Sequence, residues 1–367
     1  MSSNRRVGLV SGAVGLVAAA AGAALVADRN VARKRREGVA GQGHFVAAEP
    51  TRAGFLPADD GVALYYEEDG PADAPVTVVL VHGFCLNHGD FLFQRRALLD
   101  RFGDRIRIVA VDQRGHGRSA RSSGERATID QLGADLHEII SRIAPAGRLV
   151  LVGHSMGGMS LLALVDAHPE LFGTESRVAG VMLLSTSTGK LAAVTLGLPS
   201  MLAKLRGPVL PLLLRGARRQ PEIVERGRAR ATDVAWVFLK RLAFGGEVDP
   251  ALVEYLSRMI AETRIEVIAD FYSTLMDHDK LAALDELRDT PVAIICGERD
   301  LLTPPEHSQQ MADALPKATL TIVPGGGHQV LMEYPESINV PLLAMVDDAL
   351  AARRTGRRRR GQRPPAP

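Results

Sequence analysis

From residue 55 onward, short β-branched runs alternate with helical segments, and this alternation restricts the fold more than any other feature of the chain. Phe55–Tyr66 carries the turn Asp59-Asp60-Gly61 and reads as a hairpin. Val76–Val81, Ile106–Val111, Leu149–Val152, Val178–Leu184, Val292–Cys296 and Thr319–Val323 read as short buried strands. Between them, Thr128–Ile143 keeps Leu132, Leu136, Ile139, Ile140 and Ile143 on one helical face, with Thr128 as its cap. Further helices are expected at Pro304–Ala314 and near Ser337–Ala352. Strands alternating with helices imply a doubly wound, mostly parallel α/β sheet covered on both faces. In such sheets ligands bind beyond the carboxyl ends of the strands. The rhythm breaks over residues 187–286, a helical stretch too long for a loop, which is expected to form an inserted cap.

The core is therefore expected over residues 53–186 and 287–352, preceded by a linker at 37–52. Charge is uneven. Residues 1–36 carry a net +6 and residues 353–367 a net +7, which leaves −11 on the middle from a total of +2. An acidic body argues against nucleic acid as a partner. The Arg-, Gly- and Pro-rich tail 353–367 is expected to be disordered, with attraction to anionic lipid as its functional reading. Residues 7–27 contain no charged side chain and are long enough to span a hydrocarbon layer. Arg33-Lys34-Arg35-Arg36 follows them, so the positive-inside rule predicts a single-pass anchor with the folded body on the cytoplasmic side. Export behind a cleaved signal and a soluble N-terminal helix are the alternatives. Two cysteines, Cys85 and Cys296, make neither a disulfide framework nor a metal cluster.

Gly153-His154-Ser155-Met156-Gly157 fits G-x-S-x-G and sits between a strand and a helix, the setting in which that pattern exposes a nucleophile. Ser155 needs a base to take its proton. His328 follows the last strand on the glycine loop Gly325-Gly326-Gly327 and is the candidate. Asp300, in Gly297-Glu298-Arg299-Asp300 after the strand Val292–Cys296, is the candidate to orient the imidazole, with Glu298 as its rival. An oxyanion hole requires two N–H groups. Met156 and Phe84, the latter in the loop His82-Gly83-Phe84-Cys85, are assigned to it. Cys85 reads as a passive wall beside the site.

Together with Asp112-Gln113-Arg114-Gly115-His116-Gly117-Arg118-Ser119, these segments resemble the α/β-hydrolase superfamily over about residues 55–350. The resemblance implies an eight-stranded sheet, a Ser–His–Asp triad and no cofactor or metal. It also implies that the Asp112–Ser119 turn shapes the site without reacting. The elbow is most similar to the serine esterase and lipase branch, including monoacylglycerol lipases. Serine at position 155 argues against epoxide hydrolases and haloalkane dehalogenases, which carry aspartate there. The expected activity is cleavage of a small carboxylic ester, with a lipophilic ester or acylglycerol favoured. A cofactor-free perhydrolase or haloperoxidase, a carbon–carbon bond hydrolase, and a binding protein on a hydrolase fold remain as alternatives.

Overall fold

The computed structural model describes residues 49–197 and 232–361, together with Phe45 and positions 214, 216, 217, 219 and 222. Eight strands form one sheet in the order β1-β2-β4-β3-β5-β6-β7-β8. They are β1 (Arg52–Pro57), β2 (Ala63–Asp69), β3 (Val76–Val81), β4 (Arg107–Val111), β5 (Arg148–His154), β6 (Val178–Leu184), β7 (Val292–Gly297) and β8 (Thr319–Val323). β2 is antiparallel to both β1 and β4, and every other pairing is parallel.

Why the strand sequences are so apolar follows from their position. Val78, Leu80, Val150, Val152, Met182 and Leu184 face one side of the sheet. There they meet α1 (Leu92–Phe102) through Leu98 and Phe102, and α9 (Pro335–Gly361) through Ile338, Leu342 and Val346. The alternate residues Val79, Val81, Leu149, Leu151, Val181 and Leu183 face the other side. There they meet α2 (Ile129–Ile143) and α3 (Met156–Ala167). A strand covered on both faces has no solvent side on which to place polar residues. Thr128 caps α2 as expected, its side chain accepting the Gln131 N–H. α7 (Pro305–Ala314) lies between β7 and β8, and the short α8 (Val330–Glu333) precedes α9.

The parallel register brings strand ends together. Val81 pairs with Gly153, His154 with Leu184, Leu184 with Ile295, and Gly297 with Val323. Between β6 and β7 the chain leaves the sheet and forms α4 (Thr232–Ala243), α5 (Pro250–Glu262) and α6 (Ile265–Asp277). These helices are tied to the core by Tyr255 Oη, which donates to Gly89 O at 2.9 Å. Ile129 N–H donates to Thr274 Oγ1 at 3.1 Å, and Arg121 pairs with Asp270 at 2.7 Å.

The membrane-associated localisation and transmembrane helix expected from the sequence do not stand. Among the described residues no helix is long and apolar enough to cross a membrane. The longest described helix, α9, buries Ile338, Leu342 and Val346 against the sheet and exposes Glu336 and Asp348, so its apolar side is already covered by protein. Residues 7–27 lie outside the described residues.

Leu151 sits in the central strand with none of its surface exposed. Leu151→Ala removes apolar contacts that the close-packed surroundings cannot refill. The variant is expected to lose about 2–5 kcal/mol of stability. A urea midpoint equal to that of the wild type counters this.

Candidate active site

Ser155 is the single residue between the end of β5 and the start of α3. It therefore makes the whole turn itself, at φ 50° and ψ −117°. Such a conformation costs a non-glycine residue on the order of 1–3 kcal/mol and persists only where the surroundings enforce it. Here Ser155 N–H donates to Leu184 O at 2.9 Å, and Thr186 Oγ1 donates to Ser155 O at 2.6 Å. Gly157 is required for a different reason. A Cβ there would lie 2.0 Å from Val81 O, so any side chain would push α3 off β3.

His328 lies in the loop after β8. Its Nδ1 is 2.9 Å from Asp300 Oδ2 and 3.0 Å from Oδ1. Asp300 is buried and also accepts from Leu302 N–H, Thr303 N–H and Thr303 Oγ1–H at 2.8–2.9 Å. Burial opposes ionisation of Asp300, but His328 and the Thr303 donors outweigh it and hold the carboxyl below its ordinary range. Glu298 turns elsewhere and accepts Gly325 N–H at 2.9 Å. Thr303 has no motif that would single it out in the sequence. Glu333 has none either, yet its carboxyl accepts N–H groups from Gly327, Gly245 and Gly246 at 2.8–3.0 Å. It thereby joins the His328 loop to the segment after α4.

The loop holding Phe84 is fixed from below. His82 Nδ1–H donates to Gly83 O at 2.7 Å, while His82 Nε2 accepts Gln113 N–H at 3.0 Å. Gln113 Nε2 returns a bond to His82 O at 2.7 Å, and Ser160 Oγ donates to Gln113 Oε1 at 2.6 Å. Burial pushes the His82 imidazole down, which favours the neutral ring that this donor and acceptor pattern needs. A Cβ on Gly83 would lie 3.2 Å from Ser155 Cβ, so the loop rests directly on the elbow. Met156 opens α3, where the first N–H groups have no partner within the helix.

Ser155, His328, Gly83 and Phe84 line one cavity of about 370 Å³. Its remaining wall is largely apolar and includes Met159, Leu191, Leu239, Leu256, Leu275 and Met276. Cys85 also lines it, whereas Cys296 is buried and burial pushes its thiol up to about 11. Among the described residues, His137, His168 and Glu170 are close enough together to share a metal ion. They stand at the far end of α3 from Ser155 and line no part of the cavity.

Asp112–Ser119 is a scaffold beside this site. Asp112 accepts His88 N–H and Arg118 N–H, and fully buried Arg114 is paired with Asp135 at 2.6 Å. Burial, with His82 adding to the effect, pushes the His116 imidazole down to about 3. In the unfolded chain the same ring titrates near 6.5. Below that value the unfolded state takes up a proton that the folded state refuses. His116 therefore makes stability fall as pH drops from 6.5 toward 3, by about 1.4 kcal/mol per pH unit. His116→Gln is expected to flatten the decline of Tm between about pH 6 and pH 4. An unchanged slope in thermal melts opposes this assignment.

A family model described as "Alpha/beta hydrolase family" matches residues 78–339. A Caulobacter protein described as a candidate carbamate hydrolase is 27% identical over 281 residues, covering 76% of this chain and 94% of its own. A non-heme haloperoxidase of Rhodococcus erythropolis is 25% identical, covering 80% of this chain and 99% of its own. The structure of a thermophilic esterase from Thermogutta terrifontis superposes with a TM-score of 0.59 at 23% identity, covering 82% of this chain and 99% of its own. The eight-stranded sheet and the extent of the match agree: the chain belongs to the alpha/beta hydrolase family.

Proposed function

We propose that this hydrolase is a serine esterase acting on carboxylic esters with an apolar acyl group. The observation that carries the reading is the strained Ser155 turn facing the same cavity as the Asp300-bound His328. In the proposed cycle Ser155 Oγ attacks the ester carbonyl carbon and its proton passes to His328 Nε2. Asp300 holds the opposite ring nitrogen and stabilises the resulting imidazolium. The oxyanion is received by the N–H groups of Phe84 and Met156. The carbon–oxygen bond to the alcohol then breaks, and His328 returns its proton to the leaving oxygen. Water attacks the acyl-enzyme in the same way and releases the acid. The wall of Met159, Leu239 and Leu256 supports an apolar acyl group, because few polar groups there would compensate a charged one. The likeness to the haloperoxidase supports a second reading, in which hydrogen peroxide replaces water and the product is a peracid.

Ser155→Ala is expected to abolish turnover of p-nitrophenyl butyrate, and Asp300→Asn to slow it by roughly 10⁴-fold through the wrong imidazole tautomer. Full activity in the serine variant counts against the whole assignment. Along a series from acetate to longer acyl esters, kcat/KM is expected to rise about fourfold per added methylene until the cavity is full. A flat series counts against the apolar acyl site. Peracid formation in peroxide and acetate favours the second reading.

A further inference from the structure

Behind the triad lies a second imidazole that the proposed cycle does not use. His154, the last residue of β5, is completely buried, and so is Asp90 in the turn that leads into α1. His154 Nδ1 is 2.7 Å from Asp90 Oδ2, and His154 Nε2 is 3.2 Å from the main-chain oxygen of His328. Asp90 Oδ2 also accepts the Gly83 N–H at 3.2 Å, while Asp90 Oδ1 is buried without a hydrogen-bond partner. Both ring nitrogens thus face oxygen acceptors. A neutral imidazole has one N–H and one lone pair, and it can satisfy only one of these two contacts. With a single proton, a lone pair would point at either a carboxylate or a carbonyl.

We propose that Asp90 and His154 form a buried carboxylate–imidazolium clamp whose two residues position the oxyanion loop, the nucleophile and the base relative to one another. Each arm of the clamp reaches a different segment of the site. Asp90 holds the main chain immediately before Phe84, His154 is the chain neighbour of Ser155, and its far nitrogen holds the main chain of His328 itself. Removing the proton from His154 releases the third arm, and removing the charge of Asp90 takes away what keeps that proton in an apolar interior.

The surrounding groups agree with this state. Burial presses His154 toward the neutral ring, but the charge and hydrogen bond of Asp90, the His328 carbonyl and the more distant Asp300 overcome it and raise its proton affinity. From the helical insertion, Tyr255 stands near Asp90, and burial pushes its hydroxyl up to about 12, so it brings no charge. The His328 ring lies 5.0 Å from that of His154, centroid to centroid.

The effect on turnover rests on the serine-esterase reading, whereas the protonation state does not, so the two are read separately. The full-length chain is labelled with nitrogen-15 histidine, and the His154 signal is assigned by its loss in His154→Gln. At pH 7.5, about one unit above an ordinary imidazole, both His154 nitrogens are expected at imidazolium shifts. A neutral tautomer in the wild type overturns the clamp, whether or not any ester is hydrolysed. Asp90→Asn keeps the size of the side chain and removes its charge. In this variant His154 is expected to become neutral. Its kcat for p-nitrophenyl butyrate should fall on the order of tenfold to hundredfold, with KM changed less than about threefold. A folded Asp90→Asn chain with wild-type kcat, or with its loss confined to KM, overturns the positioning role. An inactive wild type that still shows the imidazolium signal removes the esterase reading and leaves the clamp.

Discussion

The turn at Ser155 is held against its own preference. Its φ of 50° lies in the left-handed region, and what keeps it there comes from β6 and the residues just after it: Leu184 O accepts its N–H, and the Thr186 hydroxyl binds its carbonyl. Both partners exist because β5 and β6 run parallel in a register that ends them together. On the other side of β5, β3 approaches α3 so closely that Gly157 has no room for a side chain. The Ser155 turn is thus a property of three adjacent strands and one helix, and it depends on the buried apolar residues that fix their spacing.

Around that turn the remaining polar groups act in pairs across loops. His82 and Gln113 lock the ends of β3 and β4 to each other. Thr303 and two backbone N–H groups fill the acceptor sites of Asp300 that His328 leaves open. Buried carboxyls of this kind are tolerable when every oxygen finds donors. The unpartnered Oδ1 of Asp90 is an exception, and it lies where a full positive charge on His154 would compensate it.

Much of the fold was legible in the sequence. Val76–Val81 and Val178–Leu184 match their strands residue for residue, because every position is buried and each apolar run gives way to polar residues, His82 and Ser185, where the strand ends. The edge was harder to read. β1 begins at Arg52 rather than Phe55, since a mostly exposed edge strand gives little apolar signal. Ser155, Asp300 and His328 could be put forward as candidates because each follows a strand end and carries glycine near it, and the structure sets Asp300 against His328 and places Ser155 and His328 on one cavity. Asp90 could not, because it is 64 residues from His154 and meets it only when the sheet places β3 beside β5. Glu333, at the end of a four-residue helix, reads in the sequence as an ordinary surface acid. Residues 7–27 invite a membrane reading through their hydropathy and the basic cluster Arg33-Lys34-Arg35-Arg36 after them, properties that say nothing of how the folded body is held.

Glu333 has a mechanical consequence. One carboxyl binds Gly245 and Gly246 of the insertion and Gly327 of the loop that carries His328. It ties the segment after α4 to the loop that carries His328, so neither segment can be displaced from the other without loss of bonds to this carboxyl. Gln329 N–H, donating to Ala243 O at 2.7 Å, makes a second tie between the same two segments. A shift of α4 relative to the His328 loop must therefore break hydrogen bonds at two points, one on a side chain and one on the main chain.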